Sequence, residues 1–121
     1  MTGQPFDLNT QHVQMQPSGD ARLLGFPEVF EMTDIDGVLA GAARLESTSP
    51  WSERHLAGDE LLYLVSGSVS IVLEDHQTTA LLHPSEAFLV PRAIWHHIEV
   101  HTPSLLLFFT PGDSEGERRL R

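Results

Sequence analysis

Four residues of this 121-residue chain have types and spacing suited to holding a divalent cation: Glu53, His55, Glu60 and His96. Imidazole and carboxylate donors together suit Fe, Mn, Co, Ni, Cu or Zn. Residues two apart on a strand share a face, so Glu53 and His55 point the same way. Gly58-Asp59 is a turn signal, and Glu60 then opens the next run. A hairpin return there sets Glu60 beside His55 on the common face. His96 follows just beyond the Pro91-Arg92-Ala93 turn, and a ligand from a separate strand is what a barrel interior supplies. Each residue has an ordinary reading too. A lone histidine in a strand is most often a surface or satisfied core residue, and an acid after a turn is most often solvated. Joint spacing, not any one residue, carries the argument.

The elements that must position these residues are short apolar runs broken by turn residues. The runs are Val29–Thr33, Val38–Glu46, Ser52–Ala57, Leu61–Ser66, Ser68–Glu74, Thr78–His83, Ala87–Val90, Trp95–His101 and Leu105–Thr110. Such regular spacing, with no helical period, points to an all-β sandwich or barrel. Residues 1–27 read as an irregular N-terminal arm with one short strand around His12 to Met15. Residues 28–111 read as the barrel, and 112–121 as a flexible polar tail that frays.

The same stretch resembles the cupin superfamily, whose first motif is G-x5-H-x-H-x(3,4)-E-x6-G. His55 matches its second histidine, Glu60 its acid and Gly67 its closing glycine. The second motif is G-x5-P-x-G-x2-H-x3-N, where Pro91 and His96 fall in register. The wording from Trp51 to Glu60 and from Val90 to His97 is similar to small single-domain bacterial cupins of the "cupin 2" type. That resemblance implies an all-β, double-stranded β-helix (jelly-roll) barrel with one divalent metal ion (Fe, Mn, Zn, Ni or Co) at its centre. The departures are Glu53 for the leading histidine, Ser85 and Ala93 for the two glycines of the second motif, and Val100 for its asparagine. If Glu53 ligates, the site has two histidines and two carboxylates. If it stays out, His55, Glu60 and His96 form a two-His-one-carboxylate set with open positions. A third reading has no metal, with Glu53 binding a substrate hydroxyl or a water. Resemblance to cupins favours a dioxygenase-like enzyme acting on a small organic molecule, with isomerase or lyase chemistry also known in the superfamily. The alternative is a non-catalytic sensor that binds a sugar or metabolite.

Composition narrows the classes further. There is no cysteine, hence no disulfide, thiolate site or Cys nucleophile. All 7 basic residues are arginine, which removes Schiff-base chemistry. Seventeen acids give a net charge of −10, a surface that repels a phosphate backbone, so nucleic acid is not an expected partner. The first 16 residues carry no signal-like apolar stretch and no run is long enough to span a bilayer, so the expectation is a cytoplasmic protein without a membrane partner.

Strand alternation from Glu60 turns Leu62, Leu64 and Ser66 inward; from His96 it turns Ile94 and Ile98 inward, and Trp95 and His97 outward. Trp51 and Trp95 read as packing or interface residues. Arg44 and Arg92 are placed to reach a carboxylate at the barrel mouth or to serve as surface charges. The run Leu105–Phe109 is apolar on both faces; one face fills the barrel, and the other suits a homodimer interface. His12, His76, His83 and His101 lie near turns or strand ends and read as surface residues.

Overall fold

The structure, a computed structural model, describes residues 3–26, 28–32, 35–112 and 116–121. Its elements in chain order are β1 (Gln11–Met15), β2 (Ala21–Gly25), α1 (Glu28–Glu31), β3 (Val38–Leu45), β4 (Trp51–Arg54) and β5 (Glu60–Leu73). A 3-10 turn (Glu74–His76), β6 (Thr78–Leu82), β7 (Ala87–Val90), β8 (His96–Pro111) and β9 (Glu117–Leu120) follow. The all-β class and jelly-roll architecture stand as expected, although among the described residues the ladder is not closed by hydrogen bonds.

Two long strands, β5 and β8, form the spine. They run antiparallel from Leu61 opposite Phe109 to Leu73 opposite His96. The C-terminal half of β8 also pairs with β3, and its first residue pairs with β4. Each spine strand therefore serves two sheets. One contains β2, β1, β3 and β7; the other contains β4, β9 and β6. The crossover lies where the β5–β8 register shifts, between Leu64 and Val69. Gly67 sits at that bend with φ +96°, where a side chain would collide with Ser104 Oγ. A bulge with a left-handed glycine turns a strand from one sheet into the next. This is why the expected break at Gly67 is a bend within one strand. The bend also turns Ser66 outward, against the alternation, while Leu62 and Leu64 stay buried.

The core lies between the sheets. Leu62, Leu64, Val90 and Leu106 come from one, and Val69, Ile71, Leu73 and Leu82 from the other. Leu24, Val29, Ile35 and Leu39 form a second cluster beneath the N-terminal hairpin.

Three expectations differ from what is found. The arm is not irregular throughout: β1 and β2 form a hairpin, and β1 docks on β3 through Val13 opposite Ala40. The run at Val29 begins not as a strand but as the single helical turn Glu28–Glu31, with Thr33 outside the described residues. The polar tail adds a strand, as β9 pairs with β4 from Trp51 opposite Leu120 to Arg54 opposite Glu117. Its side chains are all exposed, so no apolar alternation marks it in the sequence. Charge holds it instead. Arg54 binds Glu117 at 2.6 Å, Arg119 binds Glu74 at 2.8 Å, and Arg54 and Arg119 both lie over the Trp95 ring, at 4.8 and 4.2 Å. Among the described residues no helix is long and apolar enough to cross a membrane.

Candidate metal centre

His55, Glu60 and His96 converge at one end of the space between the sheets, and one donor atom from each lies within 4.8 Å of the others. All three are buried, at 4, 5 and 4% exposure. The Glu60 carboxylate stands between the two imidazoles, with Oε2 3.3 Å from His55 Nε2 and Oε1 3.4 Å from His96 Nε2.

The route by which they meet is not the expected hairpin. β4 pairs with β8 and β9, and β5 with β6, β7 and β8, so His55 and Glu60 are not cross-strand neighbours. Two turns are tied together instead. The Ala93 amide donates to the His55 carbonyl at 2.9 Å, the Arg92 amide donates to Asp59 Oδ1 at 2.8 Å, and Arg92 Nη2 donates to the Ala57 carbonyl at 3.0 Å. The segment carrying His55 is thus clamped to the segment that launches His96. Arg92 works as this clamp. The tie is made with a left-handed backbone at Ala93 (φ 65°), and Ser85, in the turn between β6 and β7, is left-handed too (φ 74°). These are the two positions where the resembling motif carries glycine, and the local geometry explains that preference. On the far side of the ring, Gly116 closes over His55: a side chain there would come within 2.6 Å of Nδ1.

The electrostatics of the three residues are coupled. Burial pushes the Glu60 carboxyl up, but the hydrogen bond from His96, the charges of His55 and His96 and the Thr110 hydroxyl together hold it below the usual carboxylate range. Burial likewise pushes His96 down, and the Glu60 carboxylate, the Ile94 carbonyl and the charge of Glu53 outweigh it, so its pKa is raised. The Ile94 carbonyl lies 3.1 Å from His96 Nδ1. That contact places the proton on Nδ1 and leaves Nε2 facing Glu60, the arrangement usual for a ligating histidine. An ionised carboxylate and two imidazole Nε2 atoms directed at one buried point fit a divalent cation, which would replace the protons now shared among them.

Glu53, expected beside them, is not in this compact set. It sits opposite His96 on β4 with Oε2 3.9 Å from His55 Nε2, while its Oε1 lies 3.9 Å from Arg118 Nε. His97 points elsewhere, as alternation requires, with Nδ1 2.5 Å from Glu74 Oε2.

Beside the cluster opens a cavity of about 470 Å³, within the range of small-molecule sites. Glu53, Glu60 and His96 line one end, and Leu62, Ile98, Leu106 and Phe108 give it an apolar floor. Trp51 stands in its wall, while Trp95 packs between arginines on the outside. His12 also lines the cavity and is 2% exposed, so it is not the surface residue its place near a strand end implied. His76, His83 and His101 are exposed.

No family model matches the sequence, and no curated protein sequence does. Solved structures do match. A cupin-2 domain protein from Shewanella frigidimarina superposes with a TM-score of 0.54 at 19% identity, over 66% of this chain and 72% of that one. The chain has the cupin fold. At such identity the likeness extends to the fold alone. Two further solved structures also match. The FeII form of HppE matches with a TM-score of 0.52 at 16% identity, over 60% of this chain and 42% of that one. Hydroquinone 1,2-dioxygenase from Sphingomonas sp. TTNP3, solved with 4-hydroxybenzoate bound, matches with a TM-score of 0.51 at 17% identity, over 65% of this chain and 62% of that one.

Proposed function

We propose that this cupin is a metal-dependent enzyme acting on a small organic molecule, with dioxygenase-like chemistry. His55, Glu60 and His96 hold one divalent ion, and Glu53 stands next to it as an outer carboxylate paired with Arg118. The observation that carries the reading is the buried Glu60 carboxylate between two Nε2 atoms, opening on a cavity with an apolar floor. Such a metal, when bound, would supply Lewis acidity and open positions for substrate and O2. The chain's own residues do the rest. Thr110 and Ile94 orient Glu60 and His96, and the clamp of Arg92 and Ala93 fixes the distance between His55 and His96. The apolar floor excludes water from the bound substrate. Two neighbours in the fold, solved as an FeII form and as a hydroquinone dioxygenase, are consistent with this choice.

The test is O2 consumption by the Fe(II)-loaded protein with a panel of diols and thiols. Turnover with one of them, lost in Glu60→Ala, supports the enzyme. A loaded site that consumes no O2 with any panel member favours the binding or sensing alternative.

The outer face of the first sheet carries Leu61, Tyr63, Leu107, Phe109 and the 63% exposed Leu89 in adjoining register. Our reading is that this face pairs two copies of the chain as a homodimer.

A further inference from the structure

The part of the cavity lining farther along the sheet from Glu60 comes from the N-terminal hairpin. β1, β3, β8 and β5 are successive neighbours, with Gly41 opposite Phe108 and Phe108 opposite Leu62. His12 continues that row on β1, facing inward across Gly41. The missing side chain at Gly41 is what admits the ring: a Cβ there would lie 2.6 to 2.7 Å from His12 Cδ2 and Nε2. His12 thereby reaches across β3 to stand edge-on to Phe108, with ring centroids 4.9 Å apart, and Phe26 packs edge-on to it at 4.7 Å.

Glu60 lies one row along, beside Thr110. Three strand spacings and one two-residue step separate His12 from Glu60, about 16 Å between Cα atoms on a flat sheet. Both side chains leave the same inner face of one sheet, so this span, lined by Phe108 and Leu62, is long enough for a single ring. The wall between is apolar and aromatic, from Phe26, Phe108, Leu62 and Leu106. A ligand here meets the candidate metal ligands at one end, an aromatic slot along its length, and the His12 imidazole at the other.

We propose that His12 is a substrate-positioning residue, and that the cavity takes a single-ring, mainly apolar molecule with an oxygen donor at the Glu60 end and a hydrogen-bonding group at the His12 end. The inference rests on reading the cavity as the substrate chamber. Burial pushes the His12 pKa down, so the ring stays neutral near pH 7 and offers one donor and one acceptor nitrogen. A neutral ring discriminates hydroxyl from methyl without demanding a charged partner.

The experiment compares 4-(hydroxymethyl)benzoate with its near-isostere 4-ethylbenzoate by isothermal titration, using metal-free and Zn(II)-loaded protein. In the wild type the hydroxymethyl compound binds more tightly. In His12→Phe, which keeps an aromatic ring against Phe26 and Phe108, its affinity falls about three- to tenfold, as for one lost hydrogen bond. 4-Ethylbenzoate changes less than twofold, and His12→Gln recovers part of the preference. Equal losses for both compounds in both variants would reduce His12 to a packing residue and overturn the proposal. So would no loss at all, or a wild type that binds neither compound in either state. A His12-dependent preference with no Zn(II) binding would uphold the proposal and sink the metal reading instead.

Discussion

Removing His96 is the sharpest probe of the candidate centre. In the metal-free protein His96→Ala takes away one of the partners of a buried carboxylate, since Glu60 Oε1 faces His96 Nε2 at 3.4 Å. Leaving a buried acceptor unsatisfied costs about 1–3 kcal/mol. Unfolding entropy of about 2.1 cal/mol/K per residue amounts to about 0.25 kcal/mol/K over 121 residues. The metal-free variant should therefore melt about 4–12 °C below wild type. Added metal acts separately: at 100 times Kd a single site stabilises the fold by about 2.7 kcal/mol, or about 11 °C by the same conversion. The assay is calorimetric melting of each protein with and without Zn(II), Co(II) or Fe(II), the last kept anaerobic, beside elemental analysis after gel filtration. Wild type should gain about 10 °C and retain close to one ion per chain. His96→Ala should gain less than about 3 °C relative to its own metal-free form. Glu53→Gln should keep most of the gain, because Glu53 lies outside the compact set. Equal shifts in wild type and His96→Ala, or no shift with any metal, would refute the assignment of His96 as a ligand.

Other consequences of the structure can be measured as directly. Ala93 and Ser85 hold left-handed backbones at φ 65° and 74°, a conformation costing about 1–2 kcal/mol outside glycine. After the extra chain entropy of glycine, Ala93→Gly and Ser85→Gly should each raise stability in urea by about 0.5–1 kcal/mol, with the metal stoichiometry unchanged. Glu74 is partly buried, and hydrogen bonds from Ser52, Arg119 and His97 outweigh that burial and lower its pKa from 4.5 to about 2. Its ionised form therefore contributes stability fully above about pH 4.5 and loses it as pH falls through about 2. Discounted for solvent screening, this amounts to about 1–2 kcal/mol. The gap between wild type and Glu74→Gln should have that size in urea melts at pH 7 and less than half of it at pH 3; a gap independent of pH would exclude the ionised carboxylate as its source. If the outer face pairs two copies, wild type should elute in light-scattering chromatography at twice its 13.4 kDa. Leu89→Glu, at a 63% exposed position, should then elute as a monomer with its melting curve shape preserved.

Local pattern carries most of the strands, because alternation and turn residues act over a few positions. His55, Glu60 and His96 stand out by their joint spacing against the motifs of the resembling family, and the structure brings them together, although the expected hairpin between His55 and Glu60 is not found. What joins them is a tie between two turns more than thirty residues apart in sequence, from Ala93 and Arg92 to His55, Ala57 and Asp59. Nothing near Arg92 distinguishes a clamp from a surface charge. β9 was hidden for a related reason: its side chains are all exposed, and its pairing rests on arginines meeting Glu53, Glu74 and Trp95 across the chain.

His12 is buried by contacts that no local pattern of residues announces. A histidine near the start of a five-residue strand has no local signal that would bury it. Its burial follows from three facts distant in sequence: β1 pairs with β3, β3 pairs with β8, and the residue between His12 and Phe108 is a glycine. Gly41 is thus informative only in combination. Read alone it is a weak position in a strand; placed between two rings it becomes the gap through which they touch. The hairpin, expected as an irregular arm, then supplies part of the cavity lining, separated from Glu60 by Phe108 and Leu62 along the same sheet. On the proposed reading, a cavity lined by an N-terminal hairpin at one end and by motif residues at the other can vary its ligand at the first without disturbing the second. That separation is why metal content and ligand preference should respond independently, the first to His96 and the second to His12.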